Sequence, residues 1–585
     1  MNRPLLVLSV GAFALLGSID APAPDDAPFV DPLVLNRSIC GANAGAPAAR
    51  RAFFARIGAA AAAQAAEPAP AFAAVDGIAY AISTSNAEAQ RLFNAALAHV
   101  WNFNHGEAIK ALAAAQAIDP QCAMCFWLEA FAWGPNINAP MTADAAAPAW
   151  AALGKAVAAQ PGATEKERAL ISALKERYRA SPPDDRKPLD NAFADAMEKV
   201  AAAYPDDDFI VALAVEANMD AEPWDYWMPD GRTPRTRAGR SLSMLETVLA
   251  RNPDYQPAIH LYIHMTEATD NPYRAAAPAA RLGALSPGLG HLIHMPSHTW
   301  ARIGRFKQAL DENVRAVAAD EAFLAGPGDA SPMYEFGYYV HNVHFVMTSA
   351  FMAGDAATAL SMAAKLDAKL PIDMAIEVPF AQPIKAAPYY VFARFAEPST
   401  VLTLENPGAK TPLIEAAWRY ARGEAKARMG DAAGARAEAD AIAKIIAAAD
   451  VSALEDNGIP AASIMKIAER TLAARAADAG GDIKAAIAAM EEAVALQEGL
   501  NYTEPPYWYY PAKQTLAAMV LKSGDAERAE SLFIESLAEI PNNGWAYAGL
   551  EKAYRAQRDK GAAKYTRSLF KRAWAGKKAP EPAML

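Results

Sequence analysis

The sequence predicts an all-α solenoid of stacked helical hairpins, and three of its features carry that prediction. Alanine supplies much of a composition that is 53% hydrophobic; it is the strongest helix former and lets helix axes approach closely. Alternating runs of Val, Ile and Thr are scarce, which leaves little material for a large sheet. Small residues and prolines recur at fixed offsets with a period of 34 residues, the length of a two-helix repeat unit.

Residues 1–23 read as a secretory signal peptide, with Arg3 as a short positive region, an apolar stretch from Leu5 to Leu16, and Ala21 or Ala23 at the cleavage position. The stretch is too short to span a bilayer comfortably, so a periplasmic or secreted location without stable membrane insertion is expected. Residues 24–82 form an Ala/Pro-rich lead-in. Hairpins of tetratricopeptide (TPR) type then occupy residues 83–395. The segment FNHGEAIKALAAAQAIDP places Ala108, Ala115 and Pro120 at the offsets of such a hairpin, and GRFKQALDENVRAVAAD does the same with Gly304, Phe306, Ala309 and Ala316. An irregular connector, 396–412, leads to a second array over 413–575. There Gly481, Ala486 and Ala493, then Gly524, Ala529 and Pro541, repeat the pattern. The small residues sit where paired helices cross, and proline ends the second helix because it lacks an N–H. Two stretches rich in Pro, Gly, Asp and aromatics, 219–238 and 319–335, read as inserted loops.

The formal charge of −11 excludes nucleic acid as the natural partner class, because phosphate recognition needs a basic stripe. Of the three cysteines, Cys122 and Cys125 form a C-x-x-C pair that could close as a disulfide in an oxidising compartment, leaving Cys40 odd. No second C-x-x-C, H-E-x-x-H, nucleophile elbow or phosphate loop is present to name an enzyme class.

The histidines are the informative feature. Nine are present, and seven fall in three short segments: His260 and His264; His291, His294 and His298; His341 and His344. Residues four apart share one helix face. His260 to His294 and His264 to His298 are each 34 residues, while His291 to His341 and His294 to His344 are each 50, the difference falling in the loop near 319–335. Counted from the start of each repeat, all seven occupy positions 2, 5 and 9 of the first helix, the positions that line the concave groove of a TPR array.

Neighbouring helices pack about 8–10 Å apart, so imidazoles on successive first helices can converge on one ion. The candidate ligands are therefore these seven histidines, with Glu267, one turn beyond His264, as a further ligand or a catalytic base. Such a donor set suits Zn, Cu, Fe or Mn better than Ca or Mg. His260 and His344 stand two repeats apart, about 16–20 Å by the same packing distance, which points to two ions or to one ion with hydrogen-bonding neighbours. Arg302, at position 13 of its repeat, is a candidate clamp for an anionic ligand, and Asn342 a polar neighbour of the stripe. The same stripe could instead hold a peptide or a partner protein without metal. The aromatic segment EPPYWYYP either grips a ligand or packs a solenoid turn.

The segments FNHGEAIKALAAAQAIDPQCAMCFW, HLYIHMTEAT, GHLIHMPSHTWARIGRF, YYVHNVHF and EPPYWYYPAKQTLAAMVL resemble those of a broad group of bacterial exported tetratricopeptide-repeat proteins, over most of the chain. The resemblance implies the helical-repeat architecture and the unity of the three histidine segments, and brings no particular activity with it. The functional expectation is a groove that holds one or two transition-metal ions, with metal-assisted hydrolysis as the simplest catalytic use. The alternative is a metal-free scaffold for a peptide or protein.

Overall fold

A computed structural model describes residues 77–326, 330–581 and 584–585. The leader at 1–23, the lead-in up to residue 76, and Cys40 lie outside the described residues. Within them the chain is helical, with two isolated β-bridges and no strand. No helix among them is long and apolar enough to cross a membrane.

The hairpins share one turn chemistry. Gly354 adopts φ 76 and ends the first helix of its pair, and Asp355 then caps the second by accepting the Thr358 N–H. Gly430 with Asp431, Gly481 with Asp482 and Gly524 with Asp525 repeat the device. Glycine reaches positive φ without a Cβ clash, and the carboxylate satisfies an N–H that the helix start leaves open. Ala359, Ala435, Ala486 and Ala529, the small residues at the helix crossings, are all buried.

The histidines ride on three successive first helices. These are Gln256–Thr266, the pair Gly290–His294 and Pro296–Arg302, and Tyr339–Ala353. Every residue of Gln256–Thr266 is buried, whereas its partner Ala276–Leu285 buries only Ala279, Leu282 and Gly283. First helices thus form an inner layer and second helices an outer one. Pro296 interrupts the hydrogen-bond ladder of the middle helix, but Met295 keeps α-helical dihedrals (φ −52°, ψ −39°), so the two pieces continue in helical geometry.

One sequence expectation changes here. The helix Phe306–Leu324 runs into the stretch read as a loop at 319–335, and Tyr334–Tyr338 forms a π-helical turn into the next first helix. Asp320, whose polarity suggested a loop, is instead buried and satisfied by the Tyr334 hydroxyl (2.6 Å) and the Asn342 amide (2.7 Å). The stretch 219–238 is irregular from residue 222 to residue 237, as its composition predicts, between the helices Asp208–Ala221 and Ala238–Arg251.

One apolar cluster extends from Phe306 to Tyr510 without a break at 396–412, where the short helix Pro398–Val401 lies and the Trp418 indole donates to the Leu404 carbonyl at 2.9 Å. The superhelix also turns back on itself. The Asn542 amide donates to the Ile303 carbonyl (3.0 Å) and the Trp545 indole to the Phe351 carbonyl (3.1 Å). On the N-terminal side, Asn102 Oδ1 accepts the His291 N–H at 3.0 Å. The groove that sequence spacing leaves open is therefore closed over the histidines by chain from both directions. Cys122 and Cys125 are joined as a buried disulfide at the start of the helix Ala123–Ala132.

Candidate metal centre

Six of the seven histidines converge as two groups of three. His260, His264 and His291 bring their ligand atoms within 4.8 Å of one another, and so do His294, His298 and His341. The two groups are copies of one arrangement. Each takes positions 5 and 9 from one first helix and position 2 from the next, so the solenoid repeat generates the site twice. The groups adjoin: ring centroids of His264 and His298 are 5.7 Å apart, and those of His291 and His294 are 5.9 Å apart.

Hydrogen-bond partners fix which nitrogens face inward. The Asn313 amide donates to the Ala309 carbonyl at 2.7 Å, which leaves Asn313 Oδ1 as an acceptor 2.6 Å from His294 Nδ1. His294 Nδ1 thus carries its proton, and Nε2 presents a lone pair. Glu267 approaches two further rings. Its Oε1 accepts from His264 Nδ1 at 2.9 Å and its Oε2 lies 2.7 Å from His298 Nδ1. His294 Nε2 and His298 Nε2 stand 2.7 Å apart, and His260 Nε2 and His291 Nε2 are 3.1 Å apart. At these separations either a proton, as an N–H···N hydrogen bond, or a cation can bridge the two nitrogens.

The ring spacings fit a transition metal. Imidazole nitrogen binds Zn at about 2.1 Å, which puts the ion about 3.2 Å from the ring centre. The centroid separations of 4.9, 5.0 and 6.0 Å in the first group define a circle of radius about 3.1 Å, within that reach. Those of the second, 4.6, 4.8 and 5.6 Å, give about 2.9 Å, so each triad could hold one ion. Burial pushes His260 down to about 3, with repulsion from His298 adding to it, so its nitrogen stays unprotonated and able to ligate.

Aromatic side chains wall the site. Phe103 packs on His260 and His291 at 4.7 and 5.0 Å, and Trp224 meets His264 edge-on at 5.3 Å. Both hold positive φ, 54° for Phe103 and 63° for Trp224, a region that side chains with a Cβ rarely enter. Strain of this kind gathers where a site dictates geometry. Phe345 lies 4.8–4.9 Å from His294, His298 and His341.

His344, expected among the ligands, lies outside both groups and hydrogen-bonds Tyr509 Oη through Nε2. Its repeat carries Thr348 at position 9, where the two preceding repeats carry His264 and His298, so the arrangement has no third copy. The Asn342 amide donates to Asp320 Oδ2 at 2.7 Å. Arg302 donates to the backbone carbonyls of Glu267 (2.7 Å) and Thr269 (3.0 Å) and lines a cavity of about 1190 Å³. Glu267 stands behind the imidazoles of the two groups, with the Tyr502 hydroxyl also donating to its Oε2 at 3.0 Å, an orienting carboxylate more than a base. Asn313, Phe103, Tyr502 and Glu504 are site residues that sequence reasoning missed. Glu504 opens the EPPYWYYP segment and Tyr502 stands two residues before it, the one sequence signal that could have drawn them in.

No protein-family model matches this chain, and no curated protein matches it. Among solved structures, it aligns with the human IFIT1 dimer bound to m7Gppp-AAAA at 11% identity and TM-score 0.29, covering 91% of this chain and 95% of that one. It aligns with the APC/C hetero-tetramer Cut9–Hcn1 at 13% identity and TM-score 0.29, over 80% of this chain and 76% of that one. For Naa15/Naa10 bound to HypK-THB the values are 11%, 0.20, 83% and 70%. Likeness this remote carries no argument about ligand, partner or activity.

Proposed function

We propose that this chain is a metal-binding helical-repeat protein whose inner layer holds two transition-metal ions, one per histidine triad. The observation that carries the reading is the pair His294 and His298: their Nδ1 atoms face Asn313 and Glu267, and their Nε2 atoms oppose each other at 2.7 Å. Three neutral imidazoles per ion favour Zn, Cu or Fe over Ca or Mg. His298 belongs to the second triad and also lines the cavity, so that ion lies beside space large enough for an organic ligand. An ion there would supply Lewis acidity and a bound water of lowered pKa. The residues of the chain orient the imidazoles, exclude bulk water with Phe103 and Phe345, and present Arg302 and Tyr502 beside the cavity. The leader-like residues 1–23 and the Cys122–Cys125 disulfide support a periplasmic or secreted setting.

Metal analysis of tag-free protein tests the proposal. Wild type is expected to carry about two ions per chain, and His264→Ala and His298→Ala about one each, because each removes a ligand from one triad. A wild-type protein that is metal-free, and gains no thermal stability from added Zn, Cu or Co, would refute it. A second reading, a metal-free scaffold that holds a peptide, is favoured by the aromatic lining of the cavity, including Tyr507 and Trp508. A ligand bound equally well with and without chelator would support that reading.

A further inference from the structure

Away from the triads, two arginines are buried around a single carboxylate. Arg394, on the helix Ala381–Phe395, and Arg475, on the helix Ala461–Ala479, are 4% and 6% exposed. Glu424 pairs with Arg475 at 3.2 Å. Burial pushes the Glu424 carboxyl up, but the charges of Arg475 and Arg394 outweigh it and hold the group below its usual range, so it stays ionised. One carboxylate thus faces two guanidinium groups. Arg394 stacks 4.3 Å over Tyr510, and its Nη2 is buried with no hydrogen-bond partner among the described residues. A buried excess of positive charge and a buried unfilled donor are both costly, and a carboxylate brought by a ligand would satisfy both.

The chain turns its own Met584 and Leu585 into this pocket. Arg394 Nη1 donates to the Met584 carbonyl, Arg475 Nη2 to the Leu585 oxygen at 2.9 Å, and Lys552 Nζ to the Pro580 carbonyl at 3.3 Å. The Leu585 side chain, 1% exposed, packs with Trp545 and Trp574, whose rings meet edge-on at 5.0 Å. These contacts read main-chain oxygens and one apolar side chain, so a peptide of different sequence would meet them equally well. We propose that the pocket is a receptor for the end of a partner polypeptide, an apolar last residue with a free carboxylate, and that Met584 and Leu585 occupy it in cis until such a peptide displaces them. The site shares no residue with the two triads and does not depend on metal.

The experiment follows the fluorescence anisotropy of a labelled hexapeptide, with the sequence of residues 580–585, as the full chain is added. Wild type should bind it weakly, because the tethered tail fills the pocket most of the time. Leu585→Lys cannot bury its charge between two tryptophans beside two arginines, so its tail should leave the pocket. It should bind the peptide about tenfold tighter or more, since apparent affinity scales with the open fraction. The same peptide amidated at its last residue should bind Leu585→Lys about tenfold more weakly, because it brings no charge to the guanidinium groups. Arg394→Gln added to Leu585→Lys should abolish the preference for the free acid. Circular dichroism establishes that the variants are folded, and a chain shortened to end at Ala579 takes the place of Leu585→Lys if that variant is not. A tail variant that binds acid and amide alike, or neither, overturns the carboxylate receptor. Equal affinity of wild type and the tail variant overturns the displacement, and leaves Met584 and Leu585 as a fixed part of the fold.

Discussion

Asn313→Leu probes the lone-pair argument without touching a ligand. Asn313 is buried and makes two bonds, accepting from His294 Nδ1 at 2.6 Å and donating to the Ala309 carbonyl at 2.7 Å. Leucine is of similar size, so no large cavity opens, but His294 loses the acceptor that holds its proton on Nδ1. Outer partners of metal-bound histidines are worth about 10–100-fold in affinity, which is about 1.4–2.7 kcal/mol. The His294, His298 and His341 site should weaken by that factor. The His260, His264 and His291 site contains none of these residues and serves as an internal control. Competition titration of apo protein with Co(II) and a chelator resolves the two sites. The melting temperature in chelator separately reads the fold, which should lose about 2–4 kcal/mol from two broken bonds and the polar groups left unsatisfied. Wild-type affinity at both sites would show that Asn313 does not set the His294 tautomer, and the orienting role drawn for it would fail.

Three further outcomes are expected. His344→Ala should leave metal content unchanged while costing about 2 kcal/mol of stability, since His344 is buried against Tyr509 and outside both triads; loss of an ion would return it to the ligand set. Gly304→Ala should lower the melting temperature by several degrees, because Gly304 holds φ 72 and a Cβ there would overlap the Pro541 carbonyl where the C-terminal part of the array folds back on its middle; an unchanged melting curve would count against that closure. Acid should destabilise the apo protein. Burial pushes His99 and His105 each down to about 4, so between that value and their unfolded value near 6.5 the unfolded chain binds more protons. Stability is then fully present above about pH 6.5 and falls on acidification by up to about 1.4 kcal/mol per pH unit for each histidine. Urea midpoints at pH 7 and pH 5 check this, and equal midpoints would contradict it.

The sequence by itself determined the solenoid and its phase. Ala486 and Ala529 mark the helix crossings, and the 34-residue spacing of His260 to His294 puts equivalent residues at equivalent heights. Those are local or periodic properties, and a linear pattern records them. Tertiary structure decided how positions 2, 5 and 9 combine. Position 2 of one first helix meets positions 5 and 9 of the helix before it, which admits His341 and excludes His344, although both share the stripe. The relative rotation of neighbouring helices sets that choice, and it is fixed by packing across the whole inner layer. Tertiary structure also closed the groove. Phe103 lies 157 residues before His260, and Tyr502 lies 235 residues after Glu267, yet both meet the histidine site because the superhelix curves back on itself. Contacts over such separations leave no period in the sequence, so the ligand stripe was legible there and the residues that orient and enclose it were not.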